Sequence, residues 1–258
     1  MQAETANVNI SDILFEHVLD GKTLKLFPGV PEIQLPDWLT VHTLMLFIST
    51  LLILAMFLPS FRKPVLKPRG LVNVLESIVL FVRDDIVYPV MGEKRGEKWI
   101  PFYATLFIFI STVNFLGLIP AFKTATGNIN VTSALAALIF LLIFITGLKK
   151  LGLHGFFMNM YPEDILLPIG LFILFMEVLG IFIKSMVLSL RIFANMFAGH
   201  LAILSFLVLI FVLSVWSAFI SVPFALFTYM LEILVAFIQA FVFTLLSCIF
   251  IDLASHSH

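Results

Sequence analysis

Residues 185–200 read SMVLSLRIFANMFAGH and set Arg191 inside an otherwise apolar run. Outward from the arginine, the run reaches back to Ile165 past Glu177 and Lys184, and forward through nearly 20 apolar residues broken by Asn195 and His200 alone. About 20 such residues are enough to cross the roughly 30 Å hydrocarbon core of a bilayer. An arginine at the centre of a membrane helix costs roughly 2.5–3.5 kcal/mol on insertion scales, so such residues face a bundle interior or a wet cavity and mark function by default. The alternative is an arginine that snorkels or pairs for stability alone.

The rest of the chain is of the same kind. Of its 258 residues 61% are hydrophobic and 12% charged, with a mean hydropathy of +1.11, whereas soluble domains are about 45–50% apolar and about 25% charged. This composition excludes an ordinary soluble domain and predicts a single polytopic membrane domain, with room for five or six spans. The net charge of −1 carries no signal for nucleic acid, and no nucleic-acid partner is expected. A single cysteine, Cys248, excludes an intramolecular disulfide framework. The polar, acidic start MQAETANVNISDILFEHVLD does not resemble a cleavable signal peptide, and lipidation motifs are not found.

Hydropathy divides the chain into a 1–38 segment, membrane helices over 40–58, 99–119, 131–148, 165–206 and 209–251, and an interfacial amphipathic helix over 71–91. The first span ends at Arg62, Lys63, Lys67 and Arg69, and short loops rich in Lys and Arg stay cytoplasmic. Ten Lys and Arg residues (62, 63, 67, 69, 83, 94, 95, 98, 149 and 150) then fall inside, three (22, 25 and 123) fall outside, and Lys184 and Arg191 lie within apolar sequence. The N-terminus is thus expected to be extracytoplasmic and the C-terminus cytoplasmic. In 71–91, Glu76, Arg83, Asp84 and Asp85 stand among apolar residues at helical spacing, which suits a helix lying in the interface. The stretches 165–206 and 209–251 are each about twice the length of an upright span, which predicts long, tilted helices; two conventional spans per stretch is the alternative, though no basic or turn-rich segment divides either one.

Glu177, Lys184 and Arg191 recur every seven residues, a spacing that drifts only about 20° around an α-helix, and Asn195 at i+4 from Arg191 joins the same face. One helix therefore presents a polar stripe. His200 lies nearly half a turn away, pointing toward a partner expected in the last helix, where Glu232 and Gln239 are again seven apart. Ser221, Ala225, Thr228, Ala236 and Ser247 fall roughly on that side, small or polar residues that let helices approach. A buried carboxylate and an imidazole can each hold or release a proton, so His200 and Glu232 together predict a relay. Arg191 cannot carry protons near neutral pH, but it can repel cations or attract a carboxylate and displace its proton. His42, His154, His256 and His258 do not cluster, so no metal is expected. No Gly-rich phosphate loop is present, so nucleotide hydrolysis by this chain alone is not expected.

The stretch SLRIFANMFAGH at 189–200 resembles the signature of the subunit a family of F-type ATP synthases, usually near SLRLFGNMxAG. NFLGLIP at 114–120, IQAFVFTLL at 238–246, and the distances of Glu177 and Lys184 before the arginine support the resemblance. It implies an all-α membrane protein with about five transmembrane helices, the last two forming a hairpin against a ring of c subunits. It also implies a stator role: two proton half-channels meet the ring, with Arg191 between them as the essential stator charge. Asn195, Gln239, Glu177, Lys184, His200 and Glu232 match positions of the proton path. The partners implied are the c-ring, the b-type peripheral stalk, the remaining synthase subunits and the lipid of a bacterial inner membrane. No cofactor is implied, and the translocated ion would be H+. Many bacterial members carry a glutamate at the position of His200 and a histidine at that of Glu232; here the two are exchanged, which keeps an acid and an imidazole on facing helices. Ala194 replaces the family's usual glycine, and Ser185 stands where proline often follows the lysine. A stand-alone transporter or channel binding an anion at Arg191 is the alternative, disfavoured by the lack of internal repeats and paired broken helices.

Overall fold

The computed structural model describes residues 23–24, 33–34, 36, 40–60, 70–119, 124–159, 167–212 and 215–254. The basic cluster 62–69, Lys123, most of the 1–38 segment, residues 165–166 and the two C-terminal histidines lie outside them, as does the side chain of His154. Eight helices are described: α1 (Val41–Ser60), α2 (Leu71–Phe81), α3 (Tyr88–Met91), α4 (Glu93–Gly96), α5 (Ile100–Gly117), α6 (Ile129–Asn159), α7 (Leu167–Val212) and α8 (Ala218–Leu253). Strands β1 (Thr23–Leu24) and β2 (Ile33–Gln34) pair antiparallel, Thr23 opposite Gln34 and Leu24 opposite Ile33.

Five helices are long and apolar enough to cross a membrane: α1, α5, the Ile129–Lys150 part of α6, α7 and α8. In hydrocarbon every backbone group must be satisfied internally, and helices do this best. Their hydroxyls follow the same rule: Ser49 donates to the Met45 carbonyl (2.7 Å), Thr105 to Pro101 (2.7 Å), Thr228 to Phe224 (2.9 Å) and Ser247 to Phe243 (2.6 Å). Each closes its bond four residues back and asks nothing of the surrounding lipid.

Several boundaries depart from the hydropathy reading. Leu209–Val212 belong to α7, which has 46 residues, and a 3-10 turn over Val215–Ser217 precedes α8. The expected break near 207–208 fails because Leu207–Val212 is uniformly apolar, with no residue to cap or end a helix. At 1.5 Å per residue α7 is about 70 Å long, far more than an upright span. Helix α8 continues through Pro223. Helix α6 runs past Leu148 and breaks at Gly152, whose φ of 71° is not helical. The amphipathic segment is not one uniform α-helix, since Val82–Val87 is π-helical between α2 and α3. The wider turn keeps Val82, Ile86 and Val87 buried while Asp84 and Asp85 stay exposed. Arg83 grips Asp84 through Nε (2.7 Å) and Nη2 (3.1 Å), and that hydrogen bond holds the Asp84 carboxyl below the usual carboxylate range.

The chain divides into two compact units. One comprises Met1–Leu51, Ser111–Asn128 and Ile192–Ile238. Here the end of α7 and the start of α8 run antiparallel, with Phe206 stacked on Phe224 (5.8 Å). Leu118, Met196 and Ala236 form its core, with Tyr229 packed against them. Asn114 ties three segments together: its Nδ2 donates to the Ala236 carbonyl (3.2 Å), and its Oδ1 accepts from Thr126 Oγ1 (2.9 Å).

The second unit comprises Leu52–Ile110, Ile129–Arg191 and Gln239–His258. In it Phe81 packs against Phe107 (5.8 Å) and Phe241 (5.9 Å), which anchors α2. Helices α6 and α7 meet through Phe140 and Phe182 (6.1 Å) and through Ser189 donating to Thr132 (3.1 Å). Ser185, in place of the family's proline, is buried and donates to the Ile181 carbonyl (3.2 Å). Arg95 pairs with Asp252 at 3.3 Å, linking α4 to the end of α8.

Replacing Asn114 with leucine leaves the buried Thr126 hydroxyl without its acceptor. The expected loss is about 1–3 kcal/mol, read as a lower thermal midpoint of the purified protein in detergent. An unchanged midpoint would mean that the amide is not a tie.

Candidate functional site

Helix α7 carries Glu177, Lys184 and Arg191 on its exposed side, at the expected seven-residue spacing, while Ile181, Leu188 and Ile192 are buried. No carboxylate among the described residues pairs with Arg191. Lys184 is placed differently from a simple stripe member, because its ammonium lies over the Phe250 ring, 5.8 Å from the centroid. An aromatic face can hold a cation where water is scarce. Asn195, half-buried one turn beyond Arg191, has a buried Nδ2 that no described residue accepts from, and Gln239 on α8 has a buried Nε2 in the same condition. Ala194, exposed, adds no polar group.

The buried face of α8 carries Ser221, Ala225, Glu232, Ala236, Gln239, Ala240, Phe243 and Ser247, which recur at helical spacing once the half-buried Thr228 is counted between Ala225 and Glu232. This places Glu232, only 5% exposed, against α7. His200 Nδ1 stands 2.8 Å from Glu232 Oε1, at ion-pair distance, and 3.1 Å from the Met196 carbonyl, to which it donates. On the other side of the ring, Nε2 is 3.0 Å from the Gly117 carbonyl and 2.9 Å from Thr124 Oγ1.

Carbonyl oxygens have no proton to give, so satisfying both Met196 and Gly117 requires an N–H on each ring nitrogen. The arrangement fits an imidazolium whose charge is balanced by the Glu232 carboxylate. A pair in which one member is charged without the other would leave an isolated charge in low dielectric. The chemical consequence is that each charge is balanced by the other.

Three residues of this site carry no chemistry in the one-dimensional pattern. Thr124 sits in the polar segment between α5 and α6, and its hydroxyl donates to the Gly117 carbonyl (3.1 Å). Gly199 makes the close approach of Glu232 possible, since a Cβ there would lie 2.6 Å from Oε1 and 2.9 Å from Cδ. Gly117 does the same for Thr124, where a Cβ would lie 2.7 Å from Oγ1. The available signal was the glycine immediately before His200, since a glycine inside a helix costs about 1 kcal/mol against alanine and calls for a packing reason.

Comparison with known proteins agrees with this architecture. A family model described as ATP synthase A chain matches residues 43–252. ATP synthase subunit a of Anaeromyxobacter sp. (strain Fw109-5) is 42% identical over 85% of this chain and 55% of its own length. ATP synthase subunit a 2 of Prosthecochloris aestuarii is 36% identical over 98% of this chain and 82% of its own. ATP synthase subunit a of Myxococcus xanthus is 39% identical over 90% and 78%. The chain spans about half the length of the two Anaeromyxobacter relatives it matches, 55% and 56%. With a family match running from residue 43 to residue 252, the chain belongs to the ATP synthase A chain family.

Proposed function

We propose that this chain is the stator subunit of a rotary ATP synthase's membrane motor and works as a non-nucleotide-binding part of that complex. It passes protons to and from a ring of c subunits through two half-channels. The observation that carries this reading is the exposed stripe of α7, where Arg191 stands in a membrane helix with no carboxylate among the described residues to answer it. A permanent cation in that position calls for an anion supplied by another protein. A ring carboxylate, neutral while it faces lipid, is drawn to the guanidinium and gives up its proton as it arrives. Once past Arg191 it is reprotonated, and the fixed charge blocks a direct leak between the half-channels.

His200 and Glu232 serve as the proton-exchanging pair, since both are titratable and stand 2.8 Å apart. Asn195 and Gln239, with buried amide donors to spare, suit the polar lining of a path, and Glu177 suits its outlet side. Lys184 steadies the stripe from the Phe250 ring. The ion is H+, in keeping with an imidazole and a carboxyl at the pair. The partners are the c-ring, the b-type peripheral stalk and the other synthase subunits. The setting is a bacterial inner membrane, N-terminus outside and C-terminus inside, supported by the excess of Lys and Arg on the side so assigned.

In vesicles carrying the complete synthase, Arg191→Ala is expected to cut ATP-driven proton pumping to less than about a tenth, the scale on which a loss of 1.4 kcal/mol acts. Pumping at the wild-type rate would sink the stator reading. The pair makes a second claim: His200→Ala and Glu232→Ala should each impair pumping, and the double variant should be little worse than either. A coupling of about 1 kcal/mol, or roughly fivefold, is expected from a double-mutant cycle, whereas additive losses would mean two independent residues.

A further inference from the structure

His200 has two ring nitrogens: Nδ1 donates to the Met196 carbonyl at 3.1 Å and lies 2.8 Å from Glu232 Oε1. At Nε2 the two partners differ in kind. The Gly117 carbonyl, 3.0 Å away, can only accept, while the Thr124 hydroxyl, 2.9 Å away, can accept or donate. We propose that Thr124 is a positioning residue for His200, whose hydroxyl gives the imidazole a hydrogen-bond partner at Nε2 whether or not that nitrogen bears a proton. This rests on the stator reading above, in which the His200–Glu232 pair exchanges protons.

The geometry serves both states. With Nε2 protonated, Thr124 Oγ1 accepts from the ring and donates its own hydrogen to the Gly117 carbonyl at 3.1 Å. With Nε2 bare, the hydroxyl hydrogen turns from Gly117 to the ring lone pair, which would otherwise face only a carbonyl. Three further features hold the hydroxyl in place. Thr124 is 7% exposed; the 3-10 turn Ala125–Gly127 that follows is fastened by Thr126 donating to Asn114 (2.9 Å); and Gly117 has no Cβ to push Thr124 away. The charged group facing the ring among the described residues is Glu232, from α8. Tyr229, on the same helix, is turned to the Leu118 carbonyl at 3.3 Å.

A valine at position 124 keeps the shape and removes the hydroxyl. The bare form of Nε2 then loses its partner, so the ring should keep its proton to higher pH. In vesicles with the complete synthase, the curve of ATP-driven pumping against pH is expected to move upward by about half to one unit in Thr124→Val, the scale of one lost hydrogen bond. The smaller Thr124→Ala, free of any clash, carries the same expectation. Thr124→Ser, which keeps the hydroxyl, should retain most of the pumping and the wild-type curve. An unmoved curve in both hydroxyl-free variants would overturn the proposal. So would a serine variant that behaves like valine, or a failure of both hydroxyl-free variants to assemble, since either makes Thr124 a packing residue. Arg191→Ala in parallel separates the two readings. If it pumps normally the stator reading fails, and if it does not while the Thr124→Val curve is unmoved, the assignment of Thr124 alone falls.

Discussion

Hydrocarbon cannot hydrate a charge or a lone pair, and this constraint shapes nearly every polar feature of the chain. Ser49, Thr105, Thr228 and Ser247 close hydrogen bonds onto their own helices, and Ser189 reaches Thr132 on a neighbouring one. Asn114 spends its amide on the Ala236 carbonyl and the Thr126 hydroxyl. Glu232 is buried against a histidine, and that histidine's nitrogens are met by Met196, Gly117 and Thr124. Against this background the exposed Glu177 and Arg191 stand out, because they are charges that no described residue answers.

In the stator reading proposed above, the two kinds of site divide the work between a fixed charge and a titrating pair. In that reading the guanidinium, which arginine side chains keep protonated near neutral pH, draws a carboxylate of the ring without exchanging protons itself. His200 and Glu232 are suited to the opposite task, since low dielectric couples their charges and makes a lone charged member costly. One helix, α7, carries both the arginine and the histidine, and α8 supplies the acid.

Much of this was legible in the residues. The seven-residue spacing of Glu177, Lys184 and Arg191 is a fact of helix geometry, so the exposed stripe could be read without coordinates. The same geometry turned His200 away from the stripe, leaving the last helix and Glu232 as its natural counterpart. What hydropathy could not show was where one helix ends and the next begins between residues 201 and 218, because uniformly apolar sequence contains no punctuation. Nor could it show the Phe250 ring beneath Lys184, the π-helical turn at Val82–Val87, or Thr124 at the imidazole. These depend on which distant residues arrive at a given face. Gly199 and Gly117 belong to the same class, since each matters only for the atom that a Cβ would strike.

The central claim is that the exposed face of α7 around Arg191 meets a carboxylate-bearing helix of another subunit. Cysteine cross-linking in the assembled synthase tests it most directly, with one cysteine placed beside the ring carboxylate and the other moved along α7. Val187, Ala194 and Ala198 share the exposed side with Arg191, whereas Leu188 and Ile192 are buried. The account predicts disulfides from positions 187, 194 and 198 and none from 188 and 192. Cross-links from the buried positions, or from none of the exposed ones, would contradict it.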